Sequence, residues 1–223
     1  MPRKPDPSLE QRILDAASRL WARGGEKSLT MRAVAKASST TTPTVYERYR
    51  HRDDILAALR LRTRRELFAA LSQTRTLREA VHGYIEFALA HSHAYEVLFD
   101  GVGKAPSLHE RWPSFNLLRE RLAERMERHP SKCTRLMLAI WSLMHGTVML
   151  IIRGHFEGPL RVQTIHACLD AFEGVVNAAR EKSLPHSGPK WPANLILGEG
   201  ERSSLGSQNG SGKKKARAKK PRR

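Results

Sequence analysis

Cysteine is nearly absent from this chain, aromatic residues make up only 6% of it, and no apolar run of bilayer length passes without polar interruption. The two cysteines, Cys133 and Cys168, stand in apolar helical contexts without metal-ligand spacing. That excludes a disulfide framework and a zinc site and leaves two buried, inert thiols. Leu136 to Ile152 comes nearest to a membrane span, but Trp141, Ser142, His145 and Thr147 interrupt it, so it reads as a buried helix and no membrane partner is expected. The opening MPRKPDPSLEQ has no apolar core, so no secretory leader is expected and a cytoplasmic, nucleoid-associated location is. Acid is scarcest at the other end, where Lys213 to Arg223 carries eight Lys/Arg and no Asp/Glu, or +8 of the formal +17. Residues 1 to 70 hold 15 Lys/Arg against 8 Asp/Glu, another +7, which leaves the middle close to neutral. A basic excess confined to the ends points to a polyanionic partner held by the termini, with an uncharged body between them.

Catalytic chemistry is missing too. Gly101-Val102-Gly103-Lys104 lacks the spacing and the following Ser/Thr of a phosphate-binding loop, and Gly206 to Lys213 is one residue too long and continues with Lys. His91 and His93, two residues apart, diverge on a helix and have no suitably spaced carboxylate or thiol, so they read as ordinary polar positions. No enzyme, cofactor or metal is expected.

What is present centres on Thr30 to Ile55. Thr30 is a good N-cap for a short helix to about Ala37 with Val34 and Ala35 on its apolar side. Ser38, Ser39 and Thr40 break it. Thr41 then caps a second helix that carries Pro43 in its first turn, where a missing N–H costs nothing. At 100° per residue Val45 and Tyr49 share one face, while Thr42, Pro43, Tyr46 and Glu47 gather opposite. This is a helix-turn-helix with one face packed and the other free. Short hydroxyl side chains let the backbone approach base edges, and Glu47 is suited to accept from cytosine N4. Arg48, Arg50 and Arg52, at the helix end and in the following turn, are suited to phosphates, which position without reading sequence, and Arg32 on the first helix also suits a duplex. A surface helix with ordinary solvated arginines is the plainer alternative.

Ile13 to Leu56, above all Thr41-Thr42-Pro43-Thr44-Val45-Tyr46 followed by Tyr49, Arg52, Asp53, Asp54 and Ile55, resembles the DNA-binding domain of the tetracycline-repressor (TetR) family. ILDAASRLWARGG (Ile13 to Gly25) and TMRAVAKA (Thr30 to Ala37) match its first and second helices. The resemblance implies a dimeric transcription regulator, usually a repressor, whose C-terminal helical domain binds a small effector. It places DNA contacts on Arg32, Thr41, Thr42, Pro43, Thr44, Tyr46, Glu47, Arg48 and Arg52. Departures from the pattern are specific. Ser39-Thr40-Thr41 stands where Gly-Val-Ser is usual, so either the turn is rearranged or a left-handed serine carries a cost of roughly 1 kcal/mol. Tyr49 replaces Phe or Trp, Arg50 replaces Pro, and His51 is a weak N-cap that Asp53 and Asp54 support through the helix dipole.

The rest reads as all-α, about nine helices: a three-helix DNA-binding domain and a helical ligand-binding and dimerisation domain. The expected divisions are a disordered basic arm (1–7), the head (8–68), the body (69–183) and a disordered basic tail (184–223). Ser8 is the expected cap of the first helix, whose stripe of Ile13, Leu14, Ala17, Leu20 and Trp21 ends at Gly24-Gly25. A connector helix from Arg52 to Ser72 turns Ile55, Leu56, Leu59, Leu67, Phe68 and Leu71 to its apolar side. Further helices follow near 77–89, 94–99, 114–128, 131–153 and 161–182, with a loop from Gly101 to Pro113. An effector pocket, if walled by this body, draws on Tyr84, Phe87, Ala88, Phe99, Trp112, Phe115, Trp141, Met144 and His145, a lining that favours an apolar ligand. A plain helical core accounts for each of those residues equally well. WSLMHG (Trp141 to Gly146) resembles a Trp-His-Gly signature of one subgroup of regulator C-terminal domains. The last two helices read as half of an intersubunit bundle, with Leu143, Val148, Ile151, Ile165, Leu169, Phe172 and Val176 at the dimer interface. The expected partners are a second copy, a palindromic double-stranded operator and a small apolar effector; the rival reading is a basic protein that coats DNA without sequence preference, the tail adding affinity by counterion release.

Overall fold

The computed structural model describes residues 7–99 and 112–181, and among these it forms nine α-helices and no strand, as the all-α reading requires. They are α1 (Pro7–Ser28), α2 (Met31–Ala37), α3 (Thr42–Arg48), α4 (Arg52–Ser72), α5 (Leu77–Ala90), α6 (Ser92–Phe99), α7 (Pro113–Met126), α8 (Pro130–Ile152) and α9 (Gly158–Glu181). The expected basic arm through residue 6, most of the loop after Gly101 and the tail from residue 184 lie outside the described residues.

Local chemistry sets the helix ends. Helical geometry in α1 lapses at Gly24 (φ −163°) and Gly25 (φ +57°), where the glycine pair was expected to end it. Ser8 lies inside the first turn instead of capping it, because the helix already starts at Pro7, whose ring suits an N-terminal position. Thr30 caps α2 by accepting from the Ala33 N–H at 3.1 Å. The weak cap at His51 is compensated more directly than by a dipole: Asp54 Oδ2 accepts from the His51 N–H at 2.9 Å. α5 opens on a reciprocal box, in which Thr76 Oγ1 accepts from the Glu79 N–H and Glu79 Oε2 from the Thr76 N–H.

The turn between α2 and α3 keeps its left-handed residue without a glycine. Ser39 has φ +54°. Its N–H donates to Lys36 O at 3.3 Å and the Thr40 N–H reaches back to Ala35 O at 3.0 Å, the paired bonds of a left-handed helix cap. Buried Ser38 adds a bond from Oγ to Val34 O at 2.7 Å. Of the two possibilities left open by the serine, the turn is therefore conserved and the steric cost is carried. Glu127 (φ +52°) ends α7 with the same pair of bonds, and Gly154 (φ +74°) ends α8.

Two buried clusters organise the described residues, which all fall in one compact unit. The first gathers Ile13, Trp21 and Leu29 with Val34, Val45 and Tyr49 under Ile55 and Leu59 of α4. The second runs from Leu67 and Leu71 of α4 through α5, α6 and α7 to α8 and α9. α4 serves both, so a boundary at residue 68 would cut one continuous helix. Phe68, expected on the apolar side of α4, is 39% exposed, one position beyond the buried Leu67. By length and composition alone α8 passes for a membrane span. Its Cys133, Met137, Ile140, Met144, Thr147, Val148 and Ile151 are instead buried within the chain's own core.

The left-handed serine yields a direct expectation. Ser39→Gly removes the Cβ clash at a position already in glycine geometry and should raise unfolding stability by about 0.5–1 kcal/mol in urea denaturation, after the entropic cost of glycine in the unfolded chain. Unchanged or lower stability would contradict the strained cap.

Candidate functional site

Seven residues of helix cannot hold their own orientation in water, so α3 is positioned by what it buries. Val45 is fully buried and Tyr49, just past the helix end, is 8% exposed, both against the α1–α2–α4 cluster. Burial, and next the nearby Glu10 carboxylate, push the Tyr49 hydroxyl up to about 12. The opposite face is open: Pro43, Tyr46, Glu47 and Arg48 are exposed, Thr42 and Thr44 half-buried, and Tyr46 keeps 51% of its surface in solvent. Arg32 is exposed on α2.

Several of the expected DNA-contacting residues, Thr41, Thr44, Arg48 and Arg52, are already engaged within the chain. Thr41 Oγ1 accepts from the Thr44 N–H at 3.3 Å and lies 2.8 Å from Thr44 Oγ1, so Thr41 works first as the cap of α3. Arg52 Nη2 lies 2.6 Å from Glu26 Oε1 and 3.4 Å from Asp53 Oδ1, tying the start of α4 to the end of α1. A second tie, Arg62 Nη1 to Asp15 Oδ1 at 2.6 Å, fastens α4 along α1. The geometry thus separates residues that fix the head from a set facing outward, Arg32, Thr42, Pro43, Tyr46 and Glu47, with Arg48 exposed but also engaged within the chain.

In the body, most of the proposed effector residues converge. The Trp141 Nε1–H donates to Tyr84 Oη at 3.0 Å, Tyr84 and Tyr95 hydroxyls are 2.8 Å apart, and Tyr95 Oη is 2.7 Å from His145 Nδ1. Indole can only donate, and each buried hydroxyl needs an acceptor. The chain therefore runs one way: Tyr84 donates to Tyr95, and Tyr95 donates to an unprotonated Nδ1. Burial fits this assignment, holding His145 below the usual imidazole range and pushing Tyr84 up to about 12. Around the chain, Phe99 stacks on Trp112 at 5.0 Å and meets His145 at 4.4 Å, while Phe115 meets Trp141 edge-on at 5.9 Å. Met144 is fully buried beside them. Phe87 stands apart, 4.7 Å from the His91 ring and lining a different cleft, between α1, α4 and α5–α6.

Tyr95 was missed in the sequence. Its signal was there, since a tyrosine in a short apolar helix carries a hydroxyl that burial obliges to find a partner. Of the residues assigned to a dimer interface, Val148, Ile151, Leu169, Phe172 and Val176 are buried inside this one chain, and Leu143 and Ile165 are half-buried against the same core. An apolar stripe shows that a face is covered but not by what; here α5 and α7 cover it. The exposed apolar residues of α8 and α9 lie elsewhere, at Leu138, Leu150, Leu160, Val162 and Val175.

Comparison with known proteins adds two family models and a set of structural likenesses. Residues 13–59 match the model described as bacterial regulatory proteins, tetR family, and residues 77–172 the one described as tetracyclin repressor-like, C-terminal domain. Together they span well over half of the chain. Among solved structures, a protein from Rhodococcus sp. RHA1 aligns with TM-score 0.63 at 22% identity, over 77% of this chain and 97% of that one. A TetR-family transcriptional regulator from Streptomyces coelicolor aligns with TM-score 0.57 at 20% identity, over 76% and 98%. A TetR protein from Acinetobacter baumannii AYE in complex with minocycline aligns with TM-score 0.54 at 16% identity, over 80% and 98%. At such identities these likenesses speak to the fold alone. No curated protein sequence matches the chain.

The opposed faces of α3 make a stability contrast. Tyr46→Ala should change unfolding stability by less than about 0.5 kcal/mol, since the ring is largely solvated. Tyr49→Ala, which opens the head core, should cost about 3 kcal/mol or more. Similar losses for the two would overturn this placement.

Proposed function

Since the chain belongs to the tetracycline-repressor family of DNA-binding transcription regulators, we propose that it is a cytoplasmic repressor, bound to a palindromic operator on the nucleoid as a homodimer and released by a small apolar effector. The observation that carries this reading is the outward face of α3, open in solvent while its opposite side is locked into the head core. Thr42, Pro43, Thr44, Tyr46 and Glu47 are the proposed base-edge group. Arg32, Arg48 and Arg52 are the proposed phosphate group, with Arg52 exchanging Glu26 for a phosphate oxygen. Thr41 contributes as the cap that presents them.

Two heads on one face of a duplex must lie about 34 Å apart or a multiple of it, which calls for a rigid pairing of bodies. The surface best suited to pairing is the outer side of α8 and α9. Leu138, Leu150 and Val175 are exposed there among small residues, Ala139, Gly146, Ala171 and Gly174, and a Cβ at either glycine would meet nothing within 4 Å. The chain's own packing therefore has no need of those glycines, whereas a close helix–helix approach by a second copy does.

Effector and head communicate through two elements shared by the clusters. On α6, Val97 packs into the head core while Tyr95 and Leu98 pack into the body, and the Arg60 Nε–H of α4 donates to Val97 O at 3.2 Å. On α4, Arg64 lies 5.2 Å over the Trp112 ring, at the edge of the aromatic cluster. A ligand that wedges into Tyr84–Tyr95–His145 shifts α6 and α4 together and so favours a head spacing unsuited to the operator, which is the differential binding that release requires.

Replacing Gly174 by Glu tests the pairing surface without touching the core. The variant should keep its helix content, with stability equal to the parent or higher by up to about 1 kcal/mol because an exposed helical glycine is removed, yet sediment as a monomer at micromolar concentration. A variant that stays dimeric would rule this surface out.

A further inference from the structure

A cleft of about 420 Å³ opens where the end of α1 meets α6 and the end of α8, and Phe99 in its lining also packs on the Tyr95 and His145 rings of the interior hydrogen-bond chain. Its size falls in the range of roughly 300–1,000 Å³ typical of small-molecule sites. Trp21, Phe99 and Met149 supply an apolar wall, and Gly24 and Gly25 contribute no side chain to fill it. The polar part of the lining is Arg23, Arg153, His93 and Glu96.

The polar side carries more positive than negative charge, and its ion pairs are loose. Arg153 Nη2 lies 3.5 Å from Glu96 Oε1 and His93 Nδ1 lies 3.7 Å from Glu96 Oε2, both longer than a tight charge-assisted bond of about 2.7–2.9 Å. Arg153 keeps 62% of its side chain in solvent. Arg23 is exposed and has no ion-pair partner among the described residues. The cleft thus holds two guanidinium groups and one carboxylate, which pairs with Arg153 and His93, beside aromatic and thioether surface.

We propose that this cleft binds a small aromatic monocarboxylate, its carboxylate taken by Arg23 and Arg153 and its ring laid against Trp21, Phe99 and Met149. A planar fork of N–H donors matches a carboxylate in a way a single ammonium does not. The site is distinct from the interior cluster proposed for the apolar effector. Its walls come from α1 of the head and from α6 and α8 of the body, so a bound ligand bridges the two and restrains their relative tilt. Phe99 belongs to both places, stacking on Trp112 within the cluster, so occupancy of the cleft is felt at the interior rings.

The test is calorimetric titration of the full-length protein with 2-naphthoate, and with 2-naphthamide as the uncharged counterpart. Arg23→Gln and Arg153→Gln, each checked for an unchanged thermal melt, should weaken naphthoate binding by roughly tenfold or more, and the amide should bind the parent at least about tenfold more weakly than the acid. Glu96→Gln should tighten binding of the acid by freeing Arg153, a gain that loss of a merely structural contact would not produce. Equal affinity for acid and amide, indifference to both arginine substitutions, or absence of naphthoate binding at millimolar concentration would each overturn the proposal. None of these readouts needs the operator or dimerisation, so failure here is separable from failure of the regulatory reading.

Discussion

Burial of Val45 and Tyr49 under α1 and α4 is the contact on which the rest of the molecule depends. α3 has seven residues, too few for a helix to persist by its own hydrogen bonds. Its outward side chains have a defined direction only because its inward ones are anchored. The anchoring core is itself fixed from outside: Arg62–Asp15 and Arg52–Glu26 clamp α4 to α1, and the hydrogen-bonded turn at Ser38–Thr40 sets how α2 hands the chain to α3. The serine in that turn carries a steric cost that glycine would not, and the turn keeps its form regardless. Exposed ion pairs of this kind contribute little stability each, so their value lies in fixing orientation.

The same logic extends to the body. α4 and α6 each place side chains in both clusters, so neither core can shift without the other registering it. The one-way hydrogen-bond chain from Trp141 through Tyr84 and Tyr95 ends on His145 Nδ1 and holds the imidazole in the form that keeps its proton on Nε2. Burial lowers the His145 pKa, so the native state resists protonating it. Stability from this group is complete above the ordinary imidazole value and declines as pH falls below it. Such a network is satisfied and rigid until something competes for its members.

Much of the head could be read from residue type and spacing. Thr30 and Thr41 announce helix starts, Gly24-Gly25 a stop, and Val45 with Tyr49 a buried face, because capping and periodicity are local physics. The limits of α4 were legible for the same reason. What local pattern cannot say is which neighbour covers an apolar face. Val148, Phe172 and Val176 read as a dimer seam and turned out to be internal, and Phe68 read as inward and is exposed. Partnerships across distant segments were equally silent: Tyr95 with His145, Arg60 with Val97 and Arg52 with Glu26 each join residues whose proximity is created only by the fold. The aromatic residues expected to line an effector site do come together, Phe87 excepted, though such convergence is also what a core does.

The central claim is that the open side of α3 reads base edges while its buried side only positions it. The most direct measurement is fluorescence anisotropy of the full-length protein on its best-bound genomic fragment, against bulk competitor DNA, for the parent and for Tyr46→Ala. The account predicts that the parent prefers its fragment by roughly 10³ or more, and that the variant, equally well folded, loses most of that preference while keeping its salt-dependent affinity for bulk DNA. A variant that discriminates as well as the parent would contradict it.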